Sequence, residues 1–279
     1  MINVKIKIQQ KTNRIRCKLI RSIQEPIWPD MSKGYLTIFF DYEGDYAESD
    51  KRKAEASLCG VRRILEICKK HNIKATFNIV GKLFFDHPDI IKKIIMDRHD
   101  IASHSFKHED ISMLSRGKID NDIKLTKKIF KETGLVLRGM RSPQNRWCFK
   151  QMALMVENGL LWSAEGDHAE YPYIIYRRDG RRLVRFPITC GDYNFYISRK
   201  FTAGQMYDLL VKTITHIQDE KIYGAIGFHP WVNGEDESRL RTMEKFFEYI
   251  TKVSELEILT FNDAYNLIVG QGNDRKDCQ

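Results

Sequence analysis

At 279 residues the chain is long enough for one large domain with a buried core, or for two modest ones. Its composition, 42% hydrophobic and 30% charged with seven prolines, excludes a disordered, collagen-like or coiled-coil chain. Lys+Arg exceed Asp+Glu by 46 − 37 = 9, which suits an anionic neighbour such as a phosphate, an acidic glycan, a nucleic acid or an anionic membrane surface, and solvated basic faces explain such an excess equally well.

The first 34 residues form a basic extension, with "KIKIQQKTNRIRCKLIR" at its centre. No uninterrupted apolar run follows those charges, so a secretory signal peptide is not expected. From residue 35 short β-branched or aromatic runs alternate with segments of helical period. "YLTIFF" (35–40) is a buried strand, and the next segment spaces Leu58, Val61, Leu65 and Cys68 on one helical face before a C-cap at Asn72. "ATFNIV" (75–80) is the second strand, followed by a helix with Pro88 in its first turn. "DIASH" is a third strand ending at His104. A helix over about 118–132 stops at Gly134, and "VLRGMRSP" is a strand running into a loop. "NGLLWSA" (158–164), "RLVRFPIT" (182–189), "YGAIGFH" (223–229) and "LEILTF" (256–261) complete the strands, with helices around 148–157, 204–219, 238–252 and 262–268.

Strand and helix alternating over some 230 residues predict an α/β fold with a largely parallel sheet. Seven or so such units favour a closed or nearly closed (β/α) barrel over a doubly wound sheet. The expected organisation is therefore the extension 1–34, a barrel over 35–270 and a tail at 271–279. The six cysteines, at 17, 59, 68, 148, 190 and 278, form no C-x-x-C pair and read as free thiols of a reducing compartment. No stretch approaches 18 apolar residues, so no membrane-spanning helix is expected and a cytoplasmic location is.

In a barrel, chemistry sits where strands end and βα loops begin. Those ends carry Asp41, Glu43 and Asp45 after the first strand, His104 and His108 after the third, Arg141 after the fourth and His229 after "AIGF". Spacing four brings two imidazoles to one face of a helix or a tight helical turn, so the histidine pair suits a single metal ion, while two polar residues on a solvated turn is the plainer alternative. Acidic residues after a strand are often turn residues or caps, Arg141 can simply pair a carboxylate, and His229 can be structural. Their order on successive strand ends argues for one site.

At these residues the chain resembles the polysaccharide deacetylase family, carbohydrate esterase family 4, over roughly residues 35–265. "FFDYEGDY" is similar to the F-D-V-E-D first motif of one branch, with Gly44 inserted; "IASHSFKH" matches the histidine motif; "MRSP" and "GFHPW" match the arginine and last-histidine motifs. Two departures stand out. Arg185 in "RLVRFPIT" occupies the place of an acid, and no clean counterpart of the tryptophan motif exists, although Trp162, Asp167 and Trp231 lie near its expected region.

The resemblance implies a distorted (β/α)7-type barrel with a divalent metal, zinc above all, at the C-terminal strand ends. It implies that Glu43, His104 and His108 hold the metal, with Asp45 in reserve, that Asp41 is the general base, that Arg141 holds Asp41 and that His229 is the general acid. The implied reaction is removal of an N-acetyl or similar acyl group from a sugar. The absence of a signal peptide points to a lipid- or nucleotide-linked saccharide, phosphate-bearing forms included, on the cytoplasmic side, with peripheral contact to an anionic membrane and no nucleic acid partner. The alternatives are a metal hydrolase of a different amide, ester or formyl substrate, and a non-catalytic protein that binds glycan or acidic polymer through its basic face.

Overall fold

The computed structural model describes residues 2–24, 27, 32–44, 51–234 and 236–274. Strand β1 (Gly34–Tyr42) is buried at every position, as a strand covered on both faces requires, and its sequence GYLTIFFDY is correspondingly almost continuously apolar. Around it run β2 (Thr76–Ile79), β3 (Asp100–Ser103), β4 (Gly139–Met140), β5 (Trp162–Glu165), β6 (Tyr173–Arg178), β7 (Arg181–Pro187), β8 (Cys190–Gly191), β9 (Tyr223–Phe228) and β10 (Leu256–Ile258). The helices are α1 (Ile2–Ser22), α2 (Lys51–Lys70), α3 (Leu83–Asp86), α4 (Pro88–Met96), α5 (Arg116–Glu132), α6 (Phe149–Glu157), α7 (Ala203–Asp219), α8 (Pro230–Asn233), α9 (Glu237–Ile250) and α10 (Phe261–Asp274).

β1 to β5 pair in chain order, all parallel. The stretch 181–191 then changes partners: β7 runs beside β5, the Thr189 N–H donates to the Ala225 carbonyl at 2.9 Å, and β8 continues beside β9, which returns to β1. Counting β7 and β8 as one stave, seven parallel staves surround a common interior, the expected distorted (β/α)7 barrel. Trp162, Phe186 and Phe261 fill that interior, with ring centroids 4.9–6.1 Å apart.

Several expected elements differ in detail. "VLRGMRSP" yields only the two residues of β4, because the chain there presses against the Trp162 indole: a Cβ on Gly139 would lie 2.0 Å from the ring. "LEILTF" stops at Ile258, since the Thr260 hydroxyl and Asp263 carboxylate exchange hydrogen bonds with each other's backbone N–H groups and start α10. β6 is an additional strand, antiparallel to β7 outside the barrel. The basic extension contains α1, which packs on the body through buried Asn13 and Cys17; Asn13 donates to the Trp147 carbonyl at 2.9 Å. Cys17, Cys59, Cys68, Cys148 and Cys190 are unpaired, and Cys278 lies outside the described residues.

One close crossing positions the last strand end. Val61, Leu65 and Cys68 of α2 are fully buried, and Gly60, just before them, lets α2 approach α8 directly after His229. A Cβ at Gly60 would meet the Pro230 carbonyl oxygen at 2.3 Å and Gly234 Cα at 2.7 Å, backbone that cannot rotate away. Gly60→Ala is therefore expected to lower stability by about 1–3 kcal/mol, as overpacking does. Gly117→Ala, in open space within α5, should be neutral or stabilising by up to about 1 kcal/mol. Chemical denaturation of both variants checks the contrast.

Candidate metal and acid–base site

Parallel strands that end together place their following residues on one rim. Asp41 is paired in register with Asn78, and Ser103 with Met140, so "DYE", "HSFKH", "RSP" and, through β9, "HPW" meet there. Asp41 and Glu43 are almost wholly buried, at 1% and 3% exposure. Glu43 Oε1 lies 3.3 Å from His104 Nε2 and 3.0 Å from His108 Nε2, and its other oxygen accepts the Trp231 indole N–H at 2.9 Å. Arg141 Nε donates to Asp41 Oδ2 at 2.7 Å while Asn78 donates to Oδ1 at 2.8 Å. His229 Nε2 faces both carboxylates, 3.7 Å from Asp41 and 3.8 Å from Glu43. All six expected site residues are thus together; Asp45 lies outside the described residues, beyond Gly44, whose φ of +68° turns the chain.

The histidine pair does not sit on a helical turn as its spacing suggests. Residues 104–110 form a bent loop in which Ser105 (φ 63°) and His108 (φ 59°) adopt the left-handed conformation, uncommon outside glycine and costing about 1–3 kcal/mol each. Hydrogen bonds hold it: the Phe106 N–H donates to buried Asp122 at 2.8 Å, and Ser105 and Phe106 carbonyls accept from Gly81 and Lys82. The rings end 5.1 Å apart, centroid to centroid.

The donor set fits a divalent cation. His104 Nδ1 is 2.9 Å from the Arg141 carbonyl, which can only accept, so Nδ1 carries the hydrogen and a neutral ring offers its Nε2 lone pair. That lone pair points at a carboxylate oxygen, an arrangement that needs a proton or a cation between the two. Ligand atoms around tetrahedral zinc at about 2.0–2.2 Å stand about 3.3–3.6 Å apart, so the 3.3 and 3.0 Å separations of Glu43 Oε1 from the two imidazoles need to open by only a few tenths of an ångström at most to admit the ion. A carbonyl fixing the tautomer of a ligand histidine is the usual supporting contact.

Electrostatics divide the groups. Burial alone would raise the Glu43 pKa, but His229, His104 and His108 outweigh it and hold the carboxylate well below its ordinary range. Asp41 is likewise lowered despite burial, by Arg141 first and then His104 and His229. His229 goes the other way: burial would lower it, yet Asp192, Glu43 and Asp41 raise it to about 9. Asp192, fully buried, accepts from His229 Nδ1 at 2.6 Å, from the His229 backbone N–H at 2.7 Å and from Asn233 at 2.6 Å.

Asp192, Asn78, Trp231 and Glu165 are the functional neighbours that motif reasoning left unassigned. Trp231 stands two residues after His229, so its position was visible though its partner was not. Asp192 follows the short β8, which no apolar run announces. Glu165 ends β5, 3.7 Å from Arg141, and burial raises it to about 7 against the pull of Arg185 and Arg141. Arg185, where an acid was expected, is fully buried beneath the site. It stacks 4.2 Å over Trp147, donates to Ser163 and pairs with Asp167 at 3.5 Å. Glu165, one strand over, supplies an acid beside Arg141 instead. Trp162 belongs to the barrel interior and not to the rim.

Fold and rim together define a (β/α) barrel with carboxylates, imidazoles and a guanidinium gathered at the C-terminal ends of its strands. The family model "Polysaccharide deacetylase" matches residues 32–158, which hold Asp41, Glu43, the histidine pair and Arg141. The chain is 29% identical over 112 residues to the peptidoglycan-N-acetylglucosamine deacetylase PgdA of Listeria monocytogenes, a match covering 39% of this chain and 23% of that protein. It spans less than half the length of several such curated relatives. A solved structure assigned to the polysaccharide deacetylases, from Mycobacterium smegmatis, superposes with a TM-score of 0.80 at 19% identity, covering 89% of this chain and 95% of the other. An allantoinase, PuuE, superposes with a TM-score of 0.78 at 21% identity, covering 88% and 94%. At such identities the likeness is one of fold.

Asp192→Asn removes the leading anion beside His229. In metal-free protein, NMR titration of the His229 ring should give a pKa near 9 for the wild type and a clearly lower value for the variant, because the anion that raises it most is gone while burial still lowers it. The sign follows: the raised pKa stabilises the folded state below 6.5, and that contribution is lost as pH rises through about 9.

Proposed function

We propose that the protein is a metal-dependent hydrolase that removes an N-acetyl or similar acyl group from a sugar. The observation that carries the reading is the convergence of both imidazole Nε2 atoms on Glu43 Oε1, with Asp41 and His229 facing the same point. Glu43, His104 and His108 would hold the ion, most simply zinc, and leave positions open for water and substrate. A divalent ion bound there supplies Lewis-acid activation of water and of the acyl carbonyl.

The remaining steps belong to side chains. Asp41 is ionised and has both oxygens oriented by Arg141 and Asn78 before substrate arrives, so it can accept the proton of the attacking water at a fixed position. His229, held by Asp192 with Nδ1–H donating, presents Nε2 to the cleft and stays protonated through neutral pH; it donates to the departing nitrogen. Burial of Asp41 and Glu43 keeps both charges poorly solvated, which strengthens their action on a bound group. The cleft above them, about 510 Å³, suits a monosaccharide or a slightly larger group, with Tyr193 as an apolar wall beside His229.

The deacetylase relatives carry removal of an acetyl group in their names, and the acyl group here is taken as acetyl on the sequence motifs. A sugar carried on lipid phosphate or a nucleotide, turned over on the cytoplasmic side, agrees with the chain's net charge of +9.

Asp41→Asn keeps the side chain's size and removes its basicity, so it should retain metal and lose activity by about 10²–10⁴-fold. Asp45→Asn should be milder, and the reverse ranking would move a site role onto Asp45. An amide nitrogen leaves only when protonated, whereas an activated aryl acetate departs with little help. His229→Ala should therefore depress kcat on an N-acetyl sugar far more than on the aryl ester, with metal content unchanged. Equal loss on both substrates would assign His229 to structure. Scoring acetate against formate release identifies the acyl group. No release of either from a panel of acylated sugars, with salt-sensitive glycan binding retained, would support the non-catalytic alternative.

A further inference from the structure

Helix α1 shows two faces. Its inner face, with Asn13 and Cys17, is docked on the body, and Gln24 just beyond it exchanges hydrogen bonds with the Ile174 backbone. Its outer face presents Ile8, Ile15 and Leu19, spaced seven and four apart and so on one line, with Ile23 following; they are 60%, 54%, 61% and 84% exposed. Four of the ten exposed large apolar side chains among the described residues thus lie on this one segment, which singles it out from scattered surface apolar groups. Lys7, Lys11 and Lys18, all exposed, run between that stripe and the side bearing Gln10 and Arg14, and Gln10 and Arg14 line the cleft over the site. Among the described residues none of these three lysines has an ion-pair partner.

Residues 1–24 contain four lysines, three arginines and no acid, so this segment carries seven of the chain's nine net positive charges. A second copy of the same face would set like charge against like charge. An apolar stripe flanked by lysines complements an anionic lipid surface instead.

We infer that the outer face of α1 docks the protein on an anionic bilayer, the isoleucines and Leu19 entering the boundary between headgroups and acyl chains and the lysines meeting anionic headgroups. No helix among the described residues is long and apolar enough to cross a membrane, so this is attachment in the plane of the surface. Because Gln10 and Arg14, on the other side of the lysine row, line the cleft, docking holds the cleft one helix away from the surface, where a sugar carried on a lipid phosphate can reach it; that consequence rests on the deacetylase reading, while the docking does not.

Flotation of the full chain with vesicles tests it. Vesicles of equal parts phosphatidylcholine and phosphatidylserine should carry the protein at low salt and less of it at high salt, and pure phosphatidylcholine should carry little. Ile15→Glu with Leu19→Glu should weaken flotation by at least about tenfold with unchanged thermal unfolding. Lys7→Glu with Lys11→Glu and Lys18→Glu should weaken it further, since each basic residue near such a surface is worth about fivefold in binding. Equal flotation on neutral and anionic vesicles, wild-type flotation of both variants, or a dimer that the Ile15/Leu19 variant dissociates would overturn the inference. These readouts need no turnover, so they separate failure of docking from failure of the hydrolase reading.

Discussion

Burying Asp41, Glu43 and Glu165 within one rim is the constraint from which the surrounding arrangement follows. An isolated carboxylate loses several kcal/mol or more of solvation on burial, so each must find a cation or strong donors. Asp41 takes Arg141 and Asn78, and Glu43 takes two imidazoles and an indole. Glu165 accepts the Ser142 N–H at 2.9 Å and remains the most weakly compensated of the three, which is why its pKa rises to about 7 while the other two fall. The charge balance also explains Arg185. Buried beneath the rim, it faces Asp167 and lowers Glu165, so a cation at that position answers the extra acid contributed by β5.

Holding such charges at fixed separation needs a stiff frame. The barrel supplies it through strands that end in register and through a single stretch, 181–191, that bridges β5 to β9 and places Asp192 beneath His229. The loop 104–110 supplies the rest at a conformational cost. Two left-handed residues turn His104 and His108 toward one point, and the buried Asp122 bond to Phe106 offsets part of that strain.

Much of this was legible in the sequence. The strand β1, the helix α2 and the six rim residues follow from apolar runs, helical period and the position of polar residues at strand ends. Gly44, Gly134 and Asn72 turn the chain with positive φ, as their residue types allow. What was not legible depends on contacts across the fold. β4 and β8 are two residues long, too short for a period, and exist because neighbouring strands accept them. Asp192 and Glu165 are single acids whose roles depend on strands distant in sequence. The histidine spacing suggested a helical turn, and tertiary hydrogen bonds imposed a loop instead. In α1 the charges were plain, but only its docking on the body reveals which face stays exposed.

The central claim is that Glu43 and the two histidines form a cation site and not merely a hydrogen-bonded cluster. Titration of chelator-treated protein with zinc in a calorimeter tests it directly, in buffers of different ionisation enthalpy to count released protons. The account predicts saturation at about one ion per chain, and loss of that binding in Glu43→Gln with the fold retained. Absence of saturable binding, or binding undiminished in Glu43→Gln, would contradict it.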